Sequence, residues 1–359
     1  MGGAPRRATS ATPYLRRGDL IEVKSREEIL ATLDAHGCLD GMPFMPEMLD
    51  FCGRRVRVAN VAHKACDSKC KTGGRSVPDC VHLENSRCDG SAHGGCQARC
   101  TIFWKTAWLR KVDASATNEA FAKGRVTEAG LADATSVGNG PKGTVYRCQA
   151  TQILAATQPL AWWDARQYAR DVTSGNVSVG RAARVLFLSW VEAPRRLPRP
   201  YRLSRWFYDR VHQLVAGKPS PFAPHDFNYP TRSPAGRTDL RVGEWVRVKP
   251  HVEILATLNK DSRNRGLWFD PELVQFCGKE FRVALRVEKI IDELTGEMLY
   301  MKGPCIMLEG VASRGDYIAC RGEYTQNRRL CPKAMPIYWR EIWLERVEAP
   351  AESRHVQGA

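Results

Sequence analysis

The stretch CDGSAHGGCQARC, residues 88–100, packs three cysteines, a histidine and three glycines into thirteen positions. Cys66 and Cys70 lie just upstream in HKACDSKC. Three chemistries use such a set: a disulfide framework, thiolate ligation of a metal, and a cysteine nucleophile beside a base. Cys88 or Cys100 with His93 supplies a nucleophile and a base, but no third group positions them, so no self-contained catalytic constellation is recognised. Ligation is the better fit. HGG before Cys96 is expected to start a helical turn. That turn would put Cys96 and Cys100 on one face, with Cys96 at a helix N-terminus that favours its thiolate. Cys88 from the preceding loop and Cys66 from a strand end complete a four-cysteine shell, with Cys70 and His93 as further candidate ligands. The chain has no C-x2-C pair of the kind common in structural zinc sites. Iron–sulfur clusters accept more varied spacing, so an iron–sulfur cluster and Zn2+ both stand open. CDGSAH departs from the CDGSH iron–sulfur motif, because Ala92 displaces the histidine by one place.

A duplication acts as an internal control on these cysteines. Residues 15–70 align with 240–295 without a gap and are identical at 23 of 56 positions. After a ten-residue insertion in the second copy, CQARCTIFWKTAWLRKV (96–112) aligns with CPKAMPIYWREIWLERV (331–347). Cys52 then matches Cys277 and Cys80 matches Cys305, which reads as small buried thiols on core strands. Cys66 and Cys100 match Ile291 and Met335, Cys70 matches Thr295, and Cys96 matches Cys331. Cys88 falls near the insertion, with Cys320 as its candidate counterpart. The first copy thus has thiols where the second has hydrophobes, as expected if only the first binds a metal.

The elements that must hold these residues are short. GDLIEVKS and GEWVRVKP alternate apolar and polar residues like half-buried strands, and REEILATLD has helical spacing. The expected fold class is α+β: two duplicated small mostly-β barrels, SH3-like, over 15–112 and 238–348, joined by a helical basic middle region over 145–217. Residues 1–14 read as a flexible N-terminus, 113–144 as a linker, 218–237 as a proline-rich linker and 349–359 as a tail. GNGPKG (138–143) matches a dinucleotide fingerprint in letters but sits in the linker, away from any strand-to-helix turn.

HKACD, with CDGSAHGGCQARC running into FWKTAWL, resembles a group of uncharacterised bacterial cysteine-rich proteins. The resemblance covers 15–112 and, more weakly, the second copy. It implies that Cys66, Cys88, Cys96 and Cys100 act as a set, and it implies no activity.

Net charge is +15. It is uneven, with 18 basic against 13 acidic residues over 1–113, 16 against 8 over 114–236 and 20 against 18 over 237–359. RRLPRPYRLSRWFYDR (195–210) interleaves arginine with aromatics. Arg195, Arg196, Arg199 and Arg202 are the candidates for phosphate or acidic-partner contact. The favoured alternative is a helix whose aromatic face packs inward with its arginines in solvent; the expected partner is an unidentified protein or acidic partner, with nucleic acid not favoured. No apolar run spans a bilayer and no secretory signal opens the chain, so a cytoplasmic protein without membrane association is expected. A reducing compartment favours ligands over disulfides for thirteen cysteines.

Overall fold

Ser25 opens the first helix through a reciprocal cap: its Oγ accepts the Glu28 N–H at 3.2 Å and Glu28 Oε2 accepts the Ser25 N–H at 2.8 Å. Before it, LIEV turns Ile21 and Val23 inward as the strand period requires. The computed structural model describes residues 14–67, 73–112, 126–192, 201–217, 220–221, 227–316, 319–321, 324–326 and 329–349.

The first unit runs β1 (Leu20–Val23), α1 (Arg26–Leu30), β2 (Cys38–Leu39), β3 (Met42–Pro43), a 3-10 helix (Pro46–Phe51), β4 (Arg55–Val61), β5 (Lys64–Asp67), β6 (Gly73–Ser76), β7 (Cys80–Leu83), β8 (Trp104–Lys105) and β9 (Leu109–Lys111). The middle holds α2 (Glu128–Ala134), β10 (Ser136–Gly140), β11 (Gly143–Tyr146), β12 (Gln158–Leu160), α3 (Ala165–Thr173), α4 (Val179–Glu192) and α5 (Tyr201–Ala216). The second unit runs β13 (Trp245–Val248), α6 (His251–Leu255), β14 (Arg263–Asn264), β15 (Leu267–Trp268), a 3-10 helix (Pro271–Phe276), β16 (Glu280–Ile291), β17 (Met298–Leu308), β18 (Ala319–Arg321), β19 (Tyr324–Gln326), β20 (Trp339–Arg340) and β21 (Leu344–Arg346).

The fold is therefore mixed α and β, built on small antiparallel sheets. Two five-stranded sheets have the orders β8-β7-β4-β1-β9 and β20-β17-β16-β13-β21. Their registers correspond. Ile21 pairs with Val56 and Lys111 where Val246 pairs with Phe281 and Arg346. Cys80 pairs with Lys105 where Cys305 pairs with Arg340. The cores correspond too. Trp108 Nε1 donates to Thr32 Oγ1 at 3.0 Å, and Trp343 Nε1 donates to Thr257 Oγ1 at 2.9 Å. Phe44 and Phe269 meet those indoles edge-on. Among the described residues neither sheet closes into a hydrogen-bonded barrel, because β8 and β9, and likewise β20 and β21, stand at opposite edges.

Several sequence expectations are corrected. The stretch 113–144 is not wholly linker: 113–125 lie outside the described residues, but Thr127 caps α2 through the Gly130 N–H, and GNGPKG is the turn region of the β10–β11 hairpin. Pro159 sits in β12, which pairs with β6, so the region expected to be helical from 145 onwards opens with strands. Cys80 and Cys305 are core strand residues, whereas Cys52 and Cys277 end the two 3-10 helices, half-buried. Gly217 closes α5 at φ 64°. The aromatic face of α5 packs less than expected: Tyr208 is buried, while Trp206 and Phe207 are exposed.

The middle region is fastened to the first unit. Buried Asp171 on α3 holds Lys64 Nζ at 2.5 Å and His63 Nε2 at 3.2 Å, both on or beside β5. Among the described residues no helix is long and apolar enough to cross a membrane.

Candidate metal centre

Gly90 folds the cysteine loop onto itself. It takes φ +79°, and a Cβ there would stand 1.9 Å from the Cys96 carbonyl oxygen. That close approach lets the Gly90 carbonyl accept from the His93 and Gly95 N–H groups, while the Cys88 N–H donates to the Cys100 carbonyl at 2.9 Å. Residues 91–95 are turns and 96–100 are irregular, so the helical turn expected to align Cys96 and Cys100 is absent. The loop brings both to the same place by a different route, with Arg99 at φ 51°.

Cys88, Cys96, Cys100 and Cys148 line one cavity of about 230 Å³. Its floor and walls come from every part of the chain: His93, Ala98 and Ile102 from the first unit, Gln149 and Ala150 from the middle, and Ile290, Ile291, Met335 and Tyr338 from the second unit. Cys148 was missed by sequence reading, because it lies in YRCQATQ with no cysteine nearby in sequence and no aligned partner. Backbone N–H groups point at the sulfurs. Cys96 Sγ accepts from Ile291 at 3.3 Å, and the N–H groups of Ala150 and Thr151 beside Cys148 and of Gly90 beside Cys88 favour the thiolates against burial.

Burial dominates the acid–base state of Cys88, Cys100 and Cys148. It pushes Cys100 up to about 12 against the pull of Lys333, and raises Cys148 against its N–H donors. Cys88 is raised by burial and then by the Glu47 carboxylate. A metal must therefore displace protons to bind here.

Beside Cys88 stand Glu47 and His93, whose donor atoms all lie within 4.8 Å of one another. His93 Nε2 is 3.9 Å from Glu47 Oε1. Both oxygens of Glu47 and both ring nitrogens of His93 are buried without a hydrogen bond among the described residues. Burial lowers the His93 pKa, opposed by Glu47 and Asp89. The second unit treats the aligned carboxylate differently: Glu272 accepts from Ser313 Oγ at 2.6 Å, Arg314 N–H at 2.9 Å and Asp316 N–H at 2.7 Å. The isolated bridges Arg87–Thr101 and Ala312–Pro336 fix the alignment here and make Ser313 the counterpart of Cys88, not Cys320.

Cys66 is not on the cavity wall. It points from β5 to Cys331, with the two sulfurs 4.0 Å apart. Cys70, Arg195, Arg196 and Arg199 lie outside the described residues; Arg202 is in the first turn of α5. No family model and no curated protein matches the chain.

Proposed function

We propose that this chain is an intracellular metal-binding protein whose centre is a four-thiolate site on Cys88, Cys96, Cys100 and Cys148, holding an iron–sulfur cluster and acting as a binding scaffold. The observation that carries this is the convergence of four thiols on one otherwise largely apolar cavity of about 230 Å³. A mononuclear zinc site closes tightly, with thiolates about 3.8 Å apart for Zn–S bonds of about 2.3 Å. The four cavity thiols do not group within 4.8 Å as Glu47, Cys88 and His93 do, which favours a polynuclear occupant over Zn2+. The N–H groups aimed at sulfur suit the inorganic and cysteinyl sulfur of a cluster. Cys148 replaces Cys66 in the set expected from sequence.

Because the walls come from both units and the middle, the centre braces them against one another. We read each unit as an SH3-like sheet descended from one duplicated ancestor, in which a 3-10 turn joins the last two strands. The basic middle region would then present an acidic partner with its charge. Electron transfer by the same cluster is the second reading. It is favoured by the N–H···S bond from Ile291 to Cys96, since such bonds set a cluster's potential.

Anaerobically purified protein should be brown, with iron and acid-labile sulfide in equal amounts. Cys148→Ser and Cys100→Ser should lose both, while Cys277→Ser keeps them. Colourless wild type carrying stoichiometric zinc would replace the cluster with Zn2+. Full iron content in both cavity variants would sink the assignment.

A further inference from the structure

Cys66 and Cys331 meet across the two units, one on β5 and the other in the loop before β20. Their sulfurs are 4.0 Å apart. Two thiolates on one tetrahedral ion with metal–sulfur bonds of about 2.3 Å stand about 3.8 Å apart, so the pair already has the spacing of two ligands on a single ion. It is too wide for a disulfide of about 2.05 Å without movement.

The surroundings are basic. Lys333 and Lys64 are both buried, at 5% and 4% exposure. Lys333 stands two residues from Cys331, beside its sulfur. Lys64, paired to Asp171, flanks the same sulfur.

The contact also has a twin. Cys96 aligns with Cys331 and Ile291 with Cys66, and Cys96 accepts the Ile291 N–H. The same pair of positions therefore meets twice, once in each direction, as in an isologous dimer interface. One meeting carries Cys with Ile, and the other carries Cys with Cys. The chain keeps both sulfurs at only one of the two.

We propose that Cys66 and Cys331 are ligands of a second metal site, for a single thiophilic divalent cation of the Zn2+ class, which clips the first unit to the second. This site is separate from the cavity and does not depend on what the cavity holds. The proposal rests on these two residues; Cys70 lies outside the described residues and takes no part in it.

Co2+ added anaerobically to the chelator-treated full-length chain should give the thiolate charge-transfer absorption of a tetrahedral site, and Zn2+ should displace it. Cys66→Ile and Cys331→Ser should each remove that absorption and lower bound Zn2+ by one equivalent. Cys66→Ile installs the residue that the aligned position already accommodates, so it tests ligation without a packing defect. Circular dichroism matching wild type checks its fold. Cys148→Ser should keep the Co2+ spectrum, so failure of the cavity assignment and failure of this one give different results. Two outcomes would overturn the proposal: wild-type Co2+ binding in both Cys66→Ile and Cys331→Ser, or a Cys66–Cys331 disulfide found by mass spectrometry in protein isolated with its thiols blocked at lysis.

Discussion

Cys96 receives the backbone N–H of Ile291 at 3.3 Å, so the first unit's cysteine loop is fastened to the end of β16 in the second unit. Cys96, Ile291 and Met298 form a small buried cluster with Tyr146 and Ile290 packed around it. Gln97 tightens the same junction, its Oε1 accepting from the N–H groups of Glu288 and Lys289. The cavity wall is thus made by the joint between the units, and changes that loosen the joint should act on the metal centre.

Gly90→Ala tests the loop directly. The new Cβ would collide with the Cys96 carbonyl and the residue would sit at φ +79°. The substitution should cost about 3 kcal/mol or more and release the cavity's metal. Urea unfolding and iron analysis of the same sample check it; full metal content at wild-type stability would refute the loop geometry.

Glu47 and Glu272 are aligned carboxylates in unlike settings. Glu272→Gln should destabilise the chelator-treated protein by about 2–4 kcal/mol, since it disturbs three hydrogen bonds to a buried acceptor. Glu47→Gln removes a buried charge whose oxygens have no hydrogen bond among the described residues. It should change apoprotein stability by about 1 kcal/mol or less. Unfolding midpoints for the two variants, measured side by side without metal, decide this. Equal losses would show that Glu47 is satisfied after all.

His82 gives a pH prediction. Its ring is fully buried, Nδ1 lies 2.8 Å from the Ile102 carbonyl, and burial lowers its pKa from 6.5 to about 4. The folded form binds this proton less readily than the unfolded chain, so stability is full above pH 6.5 and falls as pH drops towards 4. The loss reaches about 3 kcal/mol. His82→Met, which installs the residue of the aligned position Met307, should flatten the fall between pH 6.5 and 4. Parallel pH slopes for wild type and variant would remove His82 as the cause.

The arginine segment is expected to be silent towards nucleic acid. At physiological salt, labelled DNA or RNA should not bind with a Kd tighter than about 1 μM. Joint replacement of Arg195, Arg196, Arg199 and Arg202 by alanine should change nothing in fluorescence anisotropy. Tighter binding by wild type, lost in the quadruple variant, would make nucleic acid the leading partner.

Alternation and the repeated blocks LRRGD and LRVGE located β1, β13 and their partners, because strand period and core residues are local properties. The loop at 88–100 was legible as a ligand cluster because its cysteines are close in sequence. Cys148 was not, since it joins them only when the middle region folds across the first unit. The Cys66–Cys331 contact was hidden for a related reason. Comparing aligned positions pairs Cys331 with Cys96 and says nothing of which residues touch across the joint. The helix expected at 96–100 failed because Gly90, Gly94 and Gly95 all take positive φ, which fits turns and not a helix start.

The joining of both units in one chain sets how the centre responds to dilution. A cavity walled by two separate subunits would come apart as protein concentration falls, and its metal affinity would depend on how much protein is present. Here the two halves are tethered, so their encounter is intramolecular and its effective concentration is set by the connecting chain. Metal occupancy should then be the same in nanomolar and micromolar protein at equal free metal. The tether also frees the two crossing contacts from having to be identical, which is how Ile291 can stand where its twin is Cys66.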